Sequence, residues 1–237
     1  MNLHKDIHTA QIQGTSLLAI LIDPDKFVAE YAFAKAYLEK TPSQTTHFLV
    51  GGSSDASQHI EAVVRILKEF SALPVILFPG DYTQITPEAD GILFLSLLSG
   101  RNPEYLIGQQ VKGASAIQKS HLEVIPTGYI LIDGGKETAV QRVSNTLPIP
   151  QNDITSIVHT ALAGQYLGKK CIYLEAGSGA QKPVSLAIIK AVREAITIPL
   201  LVGGGIRSQK AMQDAYNAGA TMVVIGTAFE EDSWNAL

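Results

Sequence analysis

The chain has 237 residues, 46% of them hydrophobic and 17% charged, and carries 18 basic against 22 acidic side chains, for a formal net charge of -4. That is enough apolar material for one large core, so a single domain over residues 1–237 is expected, and the acidic balance excludes the broad basic field that nucleic-acid binding needs. One cysteine, Cys171, excludes a disulfide framework and a cysteine-cluster zinc site, and a polar N-terminus with no apolar stretch near ~18 residues predicts a cytoplasmic protein without stable membrane insertion.

Eight short apolar runs recur along the chain, at 16–22, 46–50, 74–78, 91–97, 128–132, 171–174, 199–202 and 221–225. They are apolar nearly throughout and do not alternate with polar residues, which predicts parallel strands covered on both faces. Helical stripes lie between them: Ile60, Val63, Val64 and Leu67 make one, and Ile188, Ile189, Val192 and Ile196 make another, with Lys190, Arg193 and Glu194 turned away. Pro183 is placed in the first turn of the latter helix, and Gly219 caps a helix expected over about 208–218. The fold class is therefore α/β, a (β/α)8 barrel of the TIM type. It is a modified one, because residues 79–90, with Pro79 and Pro87, are too short and too interrupted for a third crossover helix. The polar passage 134–153 reads as a long loop or lid, and the few residues after 230 leave a short closing helix.

Polar and glycine-rich clusters follow the strands, and in such a barrel all of them converge at one face. Gly203-Gly204-Gly205 and Gly226-Thr227 follow strands seven and eight, where backbone N–H groups commonly bind phosphate; the plainer reading is a pair of tight turns. Glu175 ends strand six beside them and suits a substrate hydroxyl, as hydrogen-bond acceptor or base, its rival role being an ion pair. Tyr173 is a donor to the same ligand or a core residue. Asp23 and Ser53, at the ends of strands one and two, are hard oxygen ligands for magnesium, although an Asp-Pro turn and a helix cap explain them equally. Lys26, Arg101 and Asn102 are candidates for binding a diphosphate. No histidine falls in a strand-end motif, so zinc is not expected.

Taken together, Leu21-Ile22-Asp23-Pro24-Asp25-Lys26, Val50-Gly51-Gly52-Ser53, Ser99-Gly100-Arg101-Asn102-Pro103, Ile125-Pro126-Thr127-Gly128-Tyr129-Ile130-Leu131, Tyr173-Leu174-Glu175-Ala176-Gly177-Ser178-Gly179-Ala180, Val202-Gly203-Gly204-Gly205-Ile206 and Ile225-Gly226-Thr227 closely resemble the geranylgeranylglyceryl phosphate synthase family, with its heptaprenylglyceryl phosphate synthase relatives. The resemblance spans almost the whole chain and implies a barrel lacking a regular third helix. It implies a magnesium-dependent prenyltransferase that joins the 3-hydroxyl of sn-glycerol 1-phosphate to a polyprenyl diphosphate, geranylgeranyl diphosphate first among them, releasing diphosphate. It places magnesium at Asp23 and Ser53. It places glycerol phosphate at Tyr173, Leu174, Glu175, Ala176, Gly177, Ser178, Gly179, Gly204, Gly205, Gly226 and Thr227. A homo-oligomer, a prenyl groove where the third helix is missing, a chain-length limit at Tyr105 and transient contact with a membrane surface are further expectations. The rival functions are a sugar-phosphate isomerase or lyase barrel, which gives no reason for Asp23 and Ser53, and a regulatory barrel sensing glycerol phosphate, which wants a basic, aromatic-lined groove for its nucleic-acid or protein partner.

Overall fold

The computed structural model describes residues 2–52 and 59–230. Eight parallel strands, β1 (Leu17–Ile22), β2 (Thr45–Val50), β3 (Val75–Leu77), β4 (Gly91–Leu97), β5 (Glu123–Leu131), β6 (Cys171–Glu175), β7 (Leu200–Gly203) and β8 (Met222–Ile225), close into a barrel in sequence order. Strand β8 pairs back onto β1, with Leu17 opposite Met222. Each expected run is a strand. The largest boundary difference is β5, which starts at Glu123 and pairs with β4 from Gly91↔Glu123 to Leu97↔Tyr129. Glu123 and Pro126 hide that stretch from an apolar-run reading, yet the Pro126 carbonyl still accepts from the Lys170 N–H.

Period-2 alternation divides the strand side chains between two apolar layers, which is why the runs are unbroken. Leu49, Ile76, Leu93, Ile125, Cys171 and Leu201 point into the barrel. Leu18, Phe48, Val75, Ile130, Leu174 and Val223 point out, into the layer formed with the helices. Those helices are α1 (Leu3–Gln13), α2 (Tyr31–Glu39), α3 (Ile60–Phe70), α4 (Gln109–Gln118), α5 (Ala139–Ser144), α6 (Ile154–Tyr166), α7 (Leu186–Ala195), α8 (Gln209–Asn217) and α9 (Thr227–Glu230). Both expected stripes are buried, on α3 and α7. Pro183 is not in the first turn of α7: Ser185 caps that helix by accepting from the Ile188 N–H, so Pro183 lies before it. Ser208 caps α8 in the same way, and Gly219 follows its C-terminus at φ +114°.

No helix joins β3 to β4, as the prolines require, and a single π turn (Glu104–Gly108) leads into α4. The passage 134–153 is more structured than a bare loop. A Thr138–Gln141 capping box opens α5, and Ile149 bridges to Ile132 at the end of β5.

The N-terminal segment has a role that its polarity conceals. As α1 it inserts Leu3, Ile7 and Ala10 into the floor of the barrel. Glu123 accepts from the N–H groups of Leu3 (2.6 Å) and His4 (2.8 Å), and Asn2 accepts from Lys5 (3.1 Å), so its first turn is satisfied by side chains. His4 and His8 stand one turn apart on this helix, and no group of three metal-ligating side chains occurs among the described residues.

Candidate active site

All the strand C-termini open at one face, where Asp23 (after β1), Gly52 (after β2), Glu175 (end of β6), Gly204 and Gly205 (after β7) and Gly226 (after β8) line one polar pocket together with Lys26, Ser178, Gly179 and Arg207. Residues scattered from position 23 to 226 thus share one opening. Ser53 lies outside the described residues, next to Gly52. Thr227 follows Gly226 as the first residue of α9. Leu174 and Ala176 turn their side chains into the outer layer, so only their backbone is available to the pocket.

Glu175 is 7% exposed, and its carboxylate accepts from the Gly177 N–H at 2.6 Å. Burial pushes its pKa up to about 7, against the smaller opposing pulls of the Tyr173 hydroxyl and the Gly177 N–H. That hydroxyl lies beside the carboxylate without the geometry of a hydrogen bond, and it stays buried with no partner among the described residues. A buried orphan donor of this kind wants a ligand. The Tyr173 ring stacks on Tyr129 at 5.5 Å and 4°, and Phe78 leans on both at 5.3 and 6.2 Å. Burial, and then the nearby Glu175, hold both phenols well above their ordinary pKa.

Gly204 and Gly205 adopt φ of +80° and +71°, which only glycine takes without strain. A Cβ on Gly204 would collide with the Glu175 carboxylate and stand 2.7 Å from the Ala176 and Gly177 nitrogens. The N–H groups of Gly179, Gly204 and Gly205 donate to no acceptor among the described residues. Such convergent free amides suit an anion.

On the opposite flank the Asp23 carboxylate accepts from the Asp25 N–H at 3.1 Å, with the Lys26 ammonium at 3.5 Å. Gly52 presents no side chain toward it: a Cβ there would lie 3.5 Å from Asp23 Oδ1. Arg101 and Asn102 are elsewhere, lining a separate open depression with Asn145 and Leu147. The Arg101 guanidinium is folded onto the Leu98 and Gly100 carbonyls, and Asn102 donates to the Ser144 carbonyl at the end of α5.

A second cavity is an apolar groove lying where the third helix is absent, between residues 79–87 and α4, and lined by Ile85, Phe94, Leu95, Tyr105 and Ile117. It shares Gly52, Phe78, Tyr129 and Val140 with the polar pocket, so the two are joined side by side. The sequence reading missed Phe78, Tyr129, Val140 and Arg207. The two aromatics look like strand core until the barrel end is seen, and Arg207 had only its place two residues after the glycine triplet to mark it.

A model of the PcrB family matches residues 11–237 of the sequence. The chain belongs to the PcrB family. Among relatives, the geranylgeranylglyceryl phosphate synthase of Flavobacterium johnsoniae is 53% identical over 231 residues, which cover 98% of this chain and 95% of that protein. The enzyme of the same name from Zunongwangia profunda is 55% identical over 215 residues, 90% of this chain and 91% of the other. Among solved structures, (S)-3-O-geranylgeranylglyceryl phosphate synthase from Thermoplasma acidophilum, crystallised with its substrate sn-glycerol-1-phosphate, superposes with a TM-score of 0.88 at 36% identity, covering 97% of this chain and 92% of that one. PcrB membership and this superposition agree with the eight-stranded barrel.

Proposed function

We propose that the chain is a magnesium-dependent geranylgeranylglyceryl phosphate synthase, which attaches the 3-hydroxyl of sn-glycerol 1-phosphate to the first carbon of a polyprenyl diphosphate, geranylgeranyl diphosphate first among them. One observation carries the reading: a polar pocket with free glycine amides and a buried carboxyl is joined, across the Phe78 and Tyr129 wall, to an apolar groove. A phosphorylated polyol fits the first and a prenyl tail the second, so the two reacting ends meet at the junction. An isomerase or a phosphate sensor has no use for the groove.

In this reading the amides of Gly179, Gly204 and Gly205 hold the phosphate, and Tyr173 and Glu175 fix the glycerol hydroxyls. The hydroxyl oxygen bonds to the allylic carbon as the carbon–diphosphate bond breaks, and the hydroxyl proton passes to Glu175 or to water. Positive charge gathers on the allylic carbon, so the weak nucleophile needs alignment more than a strong base. Lys26 stands where it can meet the departing diphosphate. Arg101 and Asn102 stand apart from this pocket, tied to the Leu98, Gly100 and Ser144 carbonyls, and take no diphosphate contact in this reading.

Asp23, with the open space at Gly52 and with Ser53 following, gives a hard-oxygen donor set that suits magnesium when substrate oxygens complete the shell. Bound there, the ion would neutralise charge on the diphosphate. No described helix is long and apolar enough to cross a membrane; a cytoplasmic homo-oligomer that meets the membrane only transiently completes the proposal. The test is to incubate the purified protein with labelled sn-glycerol 1-phosphate, magnesium and prenyl diphosphates of several lengths. Label extractable into solvent as a lipid phosphate is expected, and its absence with every donor would favour the sensor or the isomerase.

A further inference from the structure

We propose that Lys136 and Arg207 form a two-sided cationic clamp on the phosphate of the glycerol-phosphate substrate; this rests on the reading of the polar pocket given above. The need for it follows from charge. A phosphate monoester carries about -1.5 to -2 at neutral pH, and the three free glycine amides that receive it carry no net charge. The same pocket holds the buried Glu175 carboxyl beside these amides, so an uncompensated anion there would face an acidic group as well as its own desolvation. Of the two cations lining the pocket, Lys26 stands on the far flank beside Asp23, at 3.5 Å, on the side of the proposed diphosphate. Arg207 is the other.

Arg207 follows β7 and donates Nη2 to the Ala180 carbonyl at 3.0 Å, which fixes the guanidinium beside the loop 177–181. It has no carboxylate partner among the described residues, and its remaining donors are unspent. Lys136 approaches the same loop from the passage after β5: its Nζ lies 2.7 Å from where a Cβ on Gly179 would be. That ammonium has no hydrogen bond or ion pair among the described residues. The approach is held by backbone, because the Gly134 carbonyl accepts from the N–H groups of Gln181 (2.9 Å) and Lys182 (3.0 Å). Two unpaired cations from different segments therefore flank the one loop whose Gly179 amide is free. The arrangement selects a phosphorylated polyol over a neutral one.

The experiment is calorimetric titration of the full chain with sn-glycerol 1-phosphate at two salt concentrations, for the unmodified protein, K136Q, R207Q, the double variant, R207K, and K190Q as a control on the outer face of α7 that removes one positive charge far from the pocket. Each clamp variant is expected to weaken Kd about tenfold, in line with one charge-assisted hydrogen bond, with R207K recovering part of the loss. The double variant loses most of the salt dependence of binding, and K190Q stays within about twofold of the unmodified protein. Matched thermal melts exclude a folding defect. Kd values within twofold in both K136Q and R207Q would overturn the clamp while leaving the pocket reading intact. A change in K190Q equal to theirs would reduce it to a net-charge effect and overturn it as well. An unmodified protein that takes up no glycerol phosphate would overturn the pocket reading itself.

Discussion

Burying the Glu175 carboxyl costs more than its two neighbours return, and a pKa raised from the ordinary 4.5 to about 7 turns that imbalance into measurable quantities. Below pH 4.5 both folded and unfolded chains hold the proton and the residue is neutral toward stability. Between pH 4.5 and 7 the unfolded chain ionises first, so stability falls as pH rises, and above 7 the full cost remains, on the order of 3 kcal/mol. Glu175→Gln removes the cost while keeping an acceptor for the Gly177 N–H. The variant should therefore melt higher at pH 8, lose that advantage by pH 4.5, and turn over about a hundredfold more slowly with saturating substrates. Turnover close to that of the unmodified protein would remove Glu175 from the chemistry. The place of the residue was legible because a carboxylate ending a strand opens onto the face where the glycine clusters converge. Arg101 and Asn102 were not legible in the same way: their type suits diphosphate, but their carbonyl contacts at Leu98, Gly100 and Ser144 arise from loop geometry that residue type does not encode.

Strand β2 shows how an element can carry a titration of the opposite sign. His47 alternates inward with Leu49 at the floor of the barrel, 6% exposed beneath α1, with Nδ1 2.8 Å from the Thr46 hydroxyl. Burial depresses its pKa to about 4, and Asp6 on α1 restores only a little of the loss. The unfolded chain takes up this proton near pH 6.5, so stability is intact above that pH and falls as pH drops toward 4, by up to about 3 kcal/mol. Urea unfolding of His47→Gln should show a smaller drop from pH 7 to pH 5 than the unmodified protein, and identical drops would place the proton elsewhere. Because the Glu175 slope runs the other way over the same range, only the difference between variant and parent isolates either residue. The element that buries His47 was itself hidden from the sequence. Helix α1 has three buried apolar residues, Leu3, Ile7 and Ala10, among polar neighbours, too thin a stripe to announce a barrel plug. The missing helix between β3 and β4 was plain, since two prolines in so short a stretch leave no room for one.

At the scale of the whole molecule, the omission of that helix leaves an apolar groove joined to the polar pocket. A regular third helix would cover the barrel between β3 and β4, where residues 79–87 and α4 instead border a groove that continues to Phe78 and Tyr129. The sequence made this architecture readable because eight apolar runs and their glycine clusters obey one repeating rule. The junction stayed invisible because Phe78, Tyr129 and Val140 meet only when the barrel closes. Joined but distinct cavities should separate the two substrates energetically. Tyr105 lines the groove and not the polar pocket, half-buried, with its phenol pKa raised by burial and then by Asp81 and Glu104. Tyr105→Ala extends the apolar space, so the ratio of kcat/KM for a longer prenyl donor to that for a shorter one should rise at least about tenfold, the scale on which apolar pockets discriminate by size. The Kd for sn-glycerol 1-phosphate should stay within about twofold, because no pocket contact is touched. An unchanged donor preference would mean that the groove ends short of this ring, and a parallel loss of glycerol-phosphate affinity would mean that the two cavities respond as one.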